Sequence, residues 1–166
     1  ENRLQRLDND HVAVMFTDVT ERKEAEARLI ESEAYWRNII IHLEEGFILG
    51  EVIRDTGGQI VDWRYLEVNA AWNRLLGIPA ETVLGRSVMD VFPSLKDTTI
   101  HGLSEVVETQ TAAPFRHLVE ETGRSYEGRV QPISPETFIV LFSEVTERLR
   151  MESELQDRAS QLRTVV

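Results

Sequence analysis

The chain has 166 residues, which is enough for one domain with flanking elements. Its 29 acidic and 18 basic residues give a net charge of −11, and this argues against nucleic-acid binding, which needs a basic surface. The absence of cysteine excludes disulfides, thiolate metal sites and cysteine nucleophiles, and it is typical of a cytoplasmic protein. No apolar stretch approaches the roughly 18 residues that a membrane span needs, so no span is expected in this segment.

One segment of the chain occurs twice. Residues 11–22 align without a gap with residues 137–148, at an offset of 126 residues, and 12 of the 40 positions in residues 1–40 are identical at that offset. A repeat of this length is about one small domain, which predicts a tandem array. We interpret residues 1–17 as the C-terminal strands of a preceding module. Without their own sheet these strands are expected to fray or to add to a sheet edge of a neighbouring chain.

A helical pattern follows the first two strands. Asp18 and Thr20 stand where a helix begins, and residues 18–45 are predicted to form a linker helix that Gly46 ends. Side chains recur every seven residues along this helix at Leu29, Trp36 and Leu43. Ile40 lies at the other position of the same heptad seam. The spacing suits either a parallel coiled coil or a helix packed on its own domain.

The next segment, residues 46–146, is predicted to form one domain. Five strands are expected, at about 47–53, 60–68, 112–121, 125–133 and 138–143. Several short helices lie between the second and third strands, the first of them capped by Asn69 and ended by Gly77. This order predicts an α+β fold, a five-stranded antiparallel sheet whose concave face is covered by the short helices.

Residues 147–166 are predicted to form a C-terminal helix that opens at Thr146. Its apolar positions are spaced four, three and four residues apart: Leu155, Ala159, Leu162 and Val166. Because 126 is a multiple of seven, the two flanking helices keep one heptad phase, which favours a homodimer seam along both. Packing on the chain's own domain is the alternative for this helix too.

Several motifs occur in the order and spacing of the PAS sensor family. They are Tyr65-Leu66-Glu67-Val68-Asn69-Ala70-Ala71-Trp72-Asn73-Arg74-Leu75-Leu76-Gly77, then Val83-Leu84-Gly85-Arg86-Ser87 with Val91-Phe92-Pro93, and finally Glu144-Val145-Thr146-Glu147-Arg148. Together they resemble a PAS domain across residues 46–148. The resemblance implies a strand order of second, first, fifth, fourth, third. It also implies a sensory module, itself without catalysis, in a sensor histidine kinase or a cyclic-dinucleotide enzyme.

The terminal motif predicts a route for the signal. Glu144, Thr146 and Arg148, with Asp18 and Thr20 in the upstream copy, stand where a strand becomes a helix. They are expected to cap the helix, and the resemblance implies that they also transmit between sheet and helix. Adjacent PAS and output domains of a longer protein are the partners that this implies, and another PAS module is one candidate for the domain after the C-terminal helix.

The ligand of such a module is not evident from its residues. Trp63, Trp72 and Phe92 are candidates for a pocket, although aromatic side chains at this spacing are more often core. His101, or else His117, is a candidate haem ligand, as in some PAS domains. A cysteinyl-flavin adduct is impossible without cysteine, no other cofactor or metal is expected, and a small-molecule ligand stays open. The main hypothesis is therefore a sensory relay, and the alternatives are a ligand-free dimerisation module and a haem-based redox or gas sensor.

Overall fold

The computed structural model describes residues 2–7, 11–16 and 18–164, and the chain divides into two compact units, Glu1–Ile39 and Ile40–Val166. In the first unit, β1 (Asn2–Leu7) pairs antiparallel with β2 (His11–Phe16). The polar turn predicted at residues 8–10 lies outside the described residues. Helix α1 (Thr20–His42) follows, and its last three residues belong to the second unit.

The second unit is built on one five-stranded antiparallel sheet, as predicted. Its strands run β4-β3-β7-β6-β5 across the sheet, which is the order second, first, fifth, fourth, third within the unit. The strands are β3 (Gly46–Arg54), β4 (Ile60–Val68), β5 (Ala113–Val119), β6 (Arg124–Pro132) and β7 (Thr137–Glu144). Along β7, buried residues alternate with half-buried ones, so one face of the strand points into the core.

Short helices fill the connection between β4 and β5. They are α2 (Ala70–Leu76), α3 (Val88–Val91) and α4 (Lys96–Thr109), with 3₁₀ turns at Ala80–Thr82 and Pro93–Leu95. The predicted caps of α2 are confirmed: Asn69 accepts a hydrogen bond from the Trp72 amide, and Gly77 takes a left-handed φ of 70°. Helix α5 (Thr146–Thr164) follows β7. Within the described ranges, no helix is both long and apolar enough to cross a lipid bilayer.

The prediction that Gly46 ends the linker helix is wrong, because the helix stops at His42 and Gly46 is the first residue of β3. Gly46 pairs with Phe142 of β7, and a Cβ on Gly46 would overlap the Phe142 ring. The same relationship recurs four residues later between Gly50 and Phe138. Both glycines therefore serve close packing: they leave room for two phenylalanine rings that lie across β3.

The repeat in the sequence extends to the strand register. In the first unit Asn2 pairs with Phe16, and at the offset of 126 residues Gly128 pairs with Phe142. The four following pairs of β1 and β2 are reproduced in β6 and β7 in the same way. The helices also begin at equivalent residues, Thr20 and Thr146. The two copies of the segment thus share secondary structure and register as well as sequence.

Candidate functional site

A cavity of about 260 Å³ lies within the second unit. Strands of the sheet contribute Ile48, Trp63, Tyr65, Ala113, Pro114, Phe115, His117, Val119, Tyr126, Val130, Phe138, Val140 and Phe142 to its wall. The connection between β4 and β5 contributes Trp72, Leu76, Phe92, Leu95, Thr98, Thr99, Gly102, Leu103 and Val106. This lining includes no lysine, arginine, aspartate or glutamate. The volume exceeds the roughly 150 Å³ of a cavity that binds benzene and falls just below the roughly 300 Å³ at which drug-sized pockets begin.

Aromatic rings form much of the cavity wall and contact one another edge to face. The ring centroids of Trp63 and Tyr65 are 4.5 Å apart, those of Trp63 and Phe138 are 5.3 Å apart, and those of Tyr65 and Trp72 are 5.2 Å apart. Such pairs add about 0.5–1.5 kcal/mol each beyond their buried area. Ring contacts therefore contribute to holding this part of the wall together.

Three residues of this wall each carry a buried polar atom that lacks a hydrogen-bond partner. The atoms are Nε1 of Trp63, Nε1 of Trp72 and Oγ1 of Thr99. Trp63 is 4% exposed and Trp72 is 1% exposed. An indole N–H can only donate, and leaving such a donor unpaired in the interior costs about 1–3 kcal/mol.

The ionisable groups of the wall are uncharged near neutral pH. Burial raises the pKa of the Tyr65 phenol and that of the Tyr126 phenol. Burial lowers the pKa of His117, whose ring stacks on Phe115 with centroids 5.2 Å apart. Each shift favours the neutral form, because a charge loses solvation when it is buried. The cavity therefore presents neutral donors in apolar surroundings.

The structure brings three of the four predicted ligand-binding candidates together. Trp63, Trp72 and Phe92 all line the cavity. His101 is exposed on α4 and is not part of the lining, whereas its neighbour Gly102 is. Thr99 and Tyr126 also line the cavity, and sequence reasoning did not single them out. No motif marks either residue. Thr99 lies three residues before Gly102 on α4, so the two residues share one face of the helix, and this spacing is the one sequence signal that indicates Thr99.

Haem does not fit these residues. Its iron needs an axial ligand, and His101 cannot supply one to the cavity because it lies outside the lining. The other candidate, His117, does line the cavity. A porphyrin is nevertheless larger than most drug-sized ligands, and the cavity of about 260 Å³ falls below the range that holds those. Among the described residues, no three His, Cys, Asp or Glu side chains converge on a possible metal site.

A polar network connects the cavity wall to the start of α5. The Tyr126 hydroxyl donates to the Leu75 carbonyl at 3.1 Å, and Arg124 Nη1 donates to the same carbonyl at 3.3 Å. Arg124 also pairs with Glu144, with Nη1 and Oε2 3.3 Å apart. Tyr126 and Arg124 are on β6, whereas Leu75 is in α2 and Glu144 ends β7. One carbonyl of α2 thus links the cavity wall to the predicted terminal motif.

The rest of that motif is also held by β6. Thr146 Oγ1 accepts a hydrogen bond from the Ser125 amide at 2.9 Å, and the Val145 amide donates to the Ser125 carbonyl at 2.8 Å. Arg148 forms an ion pair with Glu127, which also pairs with Arg116 at 3.1 Å. The hydrogen bond from Arg148 is the main cause of the lowered pKa of Glu127. The predicted signal-transfer residues Glu144, Thr146 and Arg148 are therefore brought together along one strand.

The upstream copy of the motif makes local contacts instead. Asp18 Oδ1 accepts a hydrogen bond from the Thr20 amide at 2.9 Å. It thereby provides an acceptor for one of the amides that the first turn of α1 leaves without a partner within the helix. Hydrogen bonds from Thr20 lower the pKa of the Asp18 carboxyl. Asp18 and Thr20 are exposed, so this copy shows the capping part of the predicted role.

The side chain of Asn69 connects three elements of the second unit by hydrogen bonds. Its Oδ1 accepts from the amides of Phe47 at 3.0 Å and Trp72 at 3.2 Å. Its Nδ2 donates to the carbonyls of Glu45 at 2.9 Å and Ile40 at 3.1 Å. All hydrogen-bonding positions of this buried amide are used, so β3, α2 and the last turn of α1 are connected through one side chain.

The predicted dimer-seam residues are largely uncovered. Leu29 and Trp36 are 60% and 59% exposed, and α1 has no buried residue. Ile40 and Leu43, near the end of α1, are half-buried. On α5, Leu155 and Leu162 are 66% and 73% exposed and Ala159 is also exposed, whereas Val166 lies outside the described residues. Among the described seam residues, Leu29, Trp36, Leu155 and Leu162 thus keep most of their apolar surface exposed, and Trp36 contacts the ring of its neighbour Tyr35.

Two solved structures are similar in fold. An RNA-binding light-oxygen-voltage receptor shares 18% identity with this chain, with a TM-score of 0.59, and the match covers 80% of this chain but 38% of the receptor. The PAS domain of Bordetella pertussis BvgS shares 20% identity, with a TM-score of 0.51, and the match covers 79% of this chain and 98% of that domain. At these identities the likeness shows the fold alone. A comparison with curated proteins found no match.

The sequence also matches a family model described as the PAS fold. The match covers residues 61–150, which is more than half of the chain. It includes four of the five strands of the sheet, most of the cavity wall and the start of α5. Sheet order, cavity and sequence thus agree, and the chain belongs to the PAS family of sensory domains.

Proposed function

We propose that this chain is a ligand-sensing PAS module of a larger signalling protein, in which occupancy of the cavity alters how α5 is held against β6. The observation that carries the proposal is the double role of Tyr126. Its ring lines the cavity, and its hydroxyl shares the Leu75 carbonyl with Arg124, the partner of Glu144. A ligand acts through this link only if it binds one arrangement more tightly than the other.

The larger protein is proposed to be a cytoplasmic sensor histidine kinase with PAS modules in tandem. The repeated segment supports the tandem arrangement, because residues 2–7 and 11–16 repeat the pairing of β6 and β7 at an offset of 126 residues. In this proposal residues 1–17 end one module, residues 18–45 link it to the next, and residues 46–146 form the module whose output is the helix 147–166.

The signal is proposed to pass along a homodimer. Seven-residue spacing along α1 and α5 and the exposure of Leu29, Trp36, Leu155 and Leu162 support pairing of each helix with its copy. Glu144, Thr146 and Arg148 would then set the angle or rotation of α5 relative to the sheet. The competing role, a dimerisation module without ligand, predicts a core filled by its own side chains. A cavity of about 260 Å³ favours sensing instead.

The test combines detection of a ligand with detection of its effect. Native mass spectrometry and an absorption spectrum of the freshly purified chain would reveal a bound molecule. Hydrogen exchange with and without that molecule, or with one found by screening, should show altered protection at residues 144–152. Tyr126→Phe should weaken this response and keep ligand binding. Tyr35→Phe, on the exposed surface of α1, is the matched control and should respond as the natural chain does. A ligand that binds in the cavity and leaves exchange in α5 unchanged would refute the coupling.

A further inference from the structure

The cavity wall offers an occupant mostly carbon surface. Nε1 of Trp63, Nε1 of Trp72 and Oγ1 of Thr99 are buried, so these polar atoms are not exposed to a molecule in the cavity. The Tyr126 hydroxyl already donates its proton to the Leu75 carbonyl at 3.1 Å. Most of the other lining side chains are aliphatic or aromatic, so burial of apolar surface is the main contribution that this wall can make to binding.

The wall also lacks a partner for a charged ligand. Among the side chains that the structure describes, no lysine, arginine, aspartate or glutamate lines the cavity. Burial raises the pKa of Tyr65 and lowers that of His117, so both groups line the cavity in their neutral forms. An ionised ligand would therefore lose its hydration without gaining an opposite charge.

The exposed residues of the lining mark an opening. They are Thr98 and Gly102 on α4 and Pro114 on β5, whereas the other lining residues are buried or half-buried. The cavity therefore opens to solvent between α4 and β5.

Gly102 leaves space on the α4 side of this opening. Thr98, Gly102 and Val106 follow one another at intervals of four residues, so they share one face of α4, and all three line the cavity. A Cβ on Gly102 would meet no heavy atom within 4 Å. The helix face that borders the cavity is therefore open at the position where residue 102 would carry a side chain.

The volume sets the size of the occupant. By proportion to benzene in a cavity of roughly 150 Å³, a volume of about 260 Å³ holds about ten non-hydrogen atoms. We propose that the cavity binds an uncharged, predominantly hydrocarbon molecule of this size, which enters between α4 and β5 and occupies the space that Gly102 leaves. This inference rests on the proposed function, since it names the ligand class of the same cavity. Gly102 is thereby a residue that determines the size of ligand admitted.

Nitrobenzene and benzoate test the charge, because they share one planar shape and differ in charge. Each would be titrated into the full chain and followed by the methyl ¹H–¹³C signals of Val106 and Val140, which line the cavity. Leu29, 60% exposed on α1, is the internal control. We expect nitrobenzene to bind at least tenfold more tightly than benzoate, a difference of about 1.4 kcal/mol. Benzylammonium should likewise bind at least tenfold more weakly than ethylbenzene, its uncharged counterpart of the same size.

Naphthalene tests the role of Gly102, because its carbon skeleton matches the volume of the cavity. Gly102→Leu should weaken naphthalene binding at least tenfold, and the fold should tolerate the change because leucine favours a helix more than glycine does. His101→Leu adds the same side chain at the neighbouring exposed position, outside the lining, and should bind naphthalene as the natural chain does. Gly102→Ala is a smaller addition and should bind naphthalene with an affinity between those of the natural chain and Gly102→Leu.

The outcomes distinguish this inference from the proposed function. Benzoate or benzylammonium that binds as tightly as its uncharged counterpart would overturn the uncharged class. Equal binding of naphthalene to the natural chain and to Gly102→Leu would overturn the role of Gly102. If none of the uncharged probes binds, the inference is wrong. The proposed function is judged separately: it fails if native mass spectrometry and screening find no ligand, or if a ligand in the cavity leaves exchange in α5 unchanged.

Discussion

The hydroxyl oxygen of Thr146 accepts a hydrogen bond from the backbone N–H of Ser125 at 2.9 Å, so the first residue of α5 is tied to a neighbouring strand of the sheet. Glu144 and Arg148 pair with Arg124 and Glu127 on either side of this contact. The three bonds couple β6 to the point where β7 becomes α5. They give the terminal motif a tertiary role beyond that of a helix cap.

Replacement of Thr146 by valine should destabilise the fold. Valine keeps the branched shape and leaves the partly buried Ser125 amide without a partner, which costs about 1–3 kcal/mol. Urea unfolding would measure this loss, and amide exchange at Ser125 should accelerate. Thr146→Ser retains the hydroxyl and should lie close to the natural chain. If serine and valine destabilise the fold equally, the methyl group rather than the hydrogen bond is what stabilises this junction.

Asn69 is expected to tolerate no substitution. Asn69→Ala removes four hydrogen bonds from a side chain that is 5% exposed and takes the Oδ1 acceptor from the Phe47 amide, whereas the Trp72 amide keeps its bond to the residue 69 carbonyl at 3.2 Å. A destabilisation of about 2–4 kcal/mol is expected, since each buried unpaired group costs about 1–3 kcal/mol. Asn73→Ala, at an exposed position of α2, is the matched control and should change stability by less than about 0.5 kcal/mol.

Asn69→Asp isolates the donor half of the same interaction. The carboxylate can still accept from the two amides, but it cannot donate to the carbonyls of Ile40 and Glu45. We therefore expect amide exchange to accelerate in the last turn of α1 and at the start of β3. Unchanged exchange there would mean that this asparagine does not hold the end of α1.

The ion pair between Glu127 and Arg148 predicts a pH dependence. The hydrogen bond from Arg148 lowers the pKa of Glu127 below its usual value of 4.5 in the folded state. Between the folded-state pKa of Glu127 and about pH 4.5, the unfolded chain therefore binds more protons than the folded chain. The contribution of Glu127 to stability is present above about pH 4.5 and is lost as the pH falls through the lower, folded-state pKa.

A variant of the arginine tests this assignment. Arg148→Gln should raise the pKa of Glu127 towards its usual value, and carboxyl NMR titration would measure the change. Arg150→Gln removes an arginine of the same helix that pairs within α5 only, with Glu147 and Glu154, and should leave the Glu127 titration in place. A Glu127 pKa that is the same in Arg148→Gln and in the natural chain would contradict the coupling.

The flanking helices should control association of the chain. Leu155→Lys places a charge at an exposed apolar position of α5 and should shift the chain towards monomer, by at least tenfold in the dissociation constant, as measured by sedimentation equilibrium. Gln156→Lys adds the same charge one residue away, outside the predicted seam, and should have little effect. A natural chain that is monomeric at high concentration would rule out the seam at Leu155, Ala159 and Leu162.

Local signals in the sequence were sufficient for most of the secondary structure. Asn69 and Gly77 bound α2 as predicted, because a side-chain acceptor before a helix and a left-handed glycine after it act within a few residues. Gly46 shows where local reasoning fails. A glycine after a helical pattern reads as a terminator, but here it admits the ring of Phe142 from a strand 96 residues further along.

By itself, the sequence determined the repeat, the order of elements and the PAS resemblance, because periodicity, caps and motif spacing are local properties that survive without a fold. It also identified Trp63, Trp72 and Phe92 as candidates. Only the tertiary structure decided that these side chains meet at one cavity, that His101 lies outside it, and that Nε1 of both tryptophans and Oγ1 of Thr99 are buried without a hydrogen-bond partner. The physical reason is that a hydrogen bond left unmade and a volume left unfilled depend on every element packed around them, and no single segment of the chain contains that information.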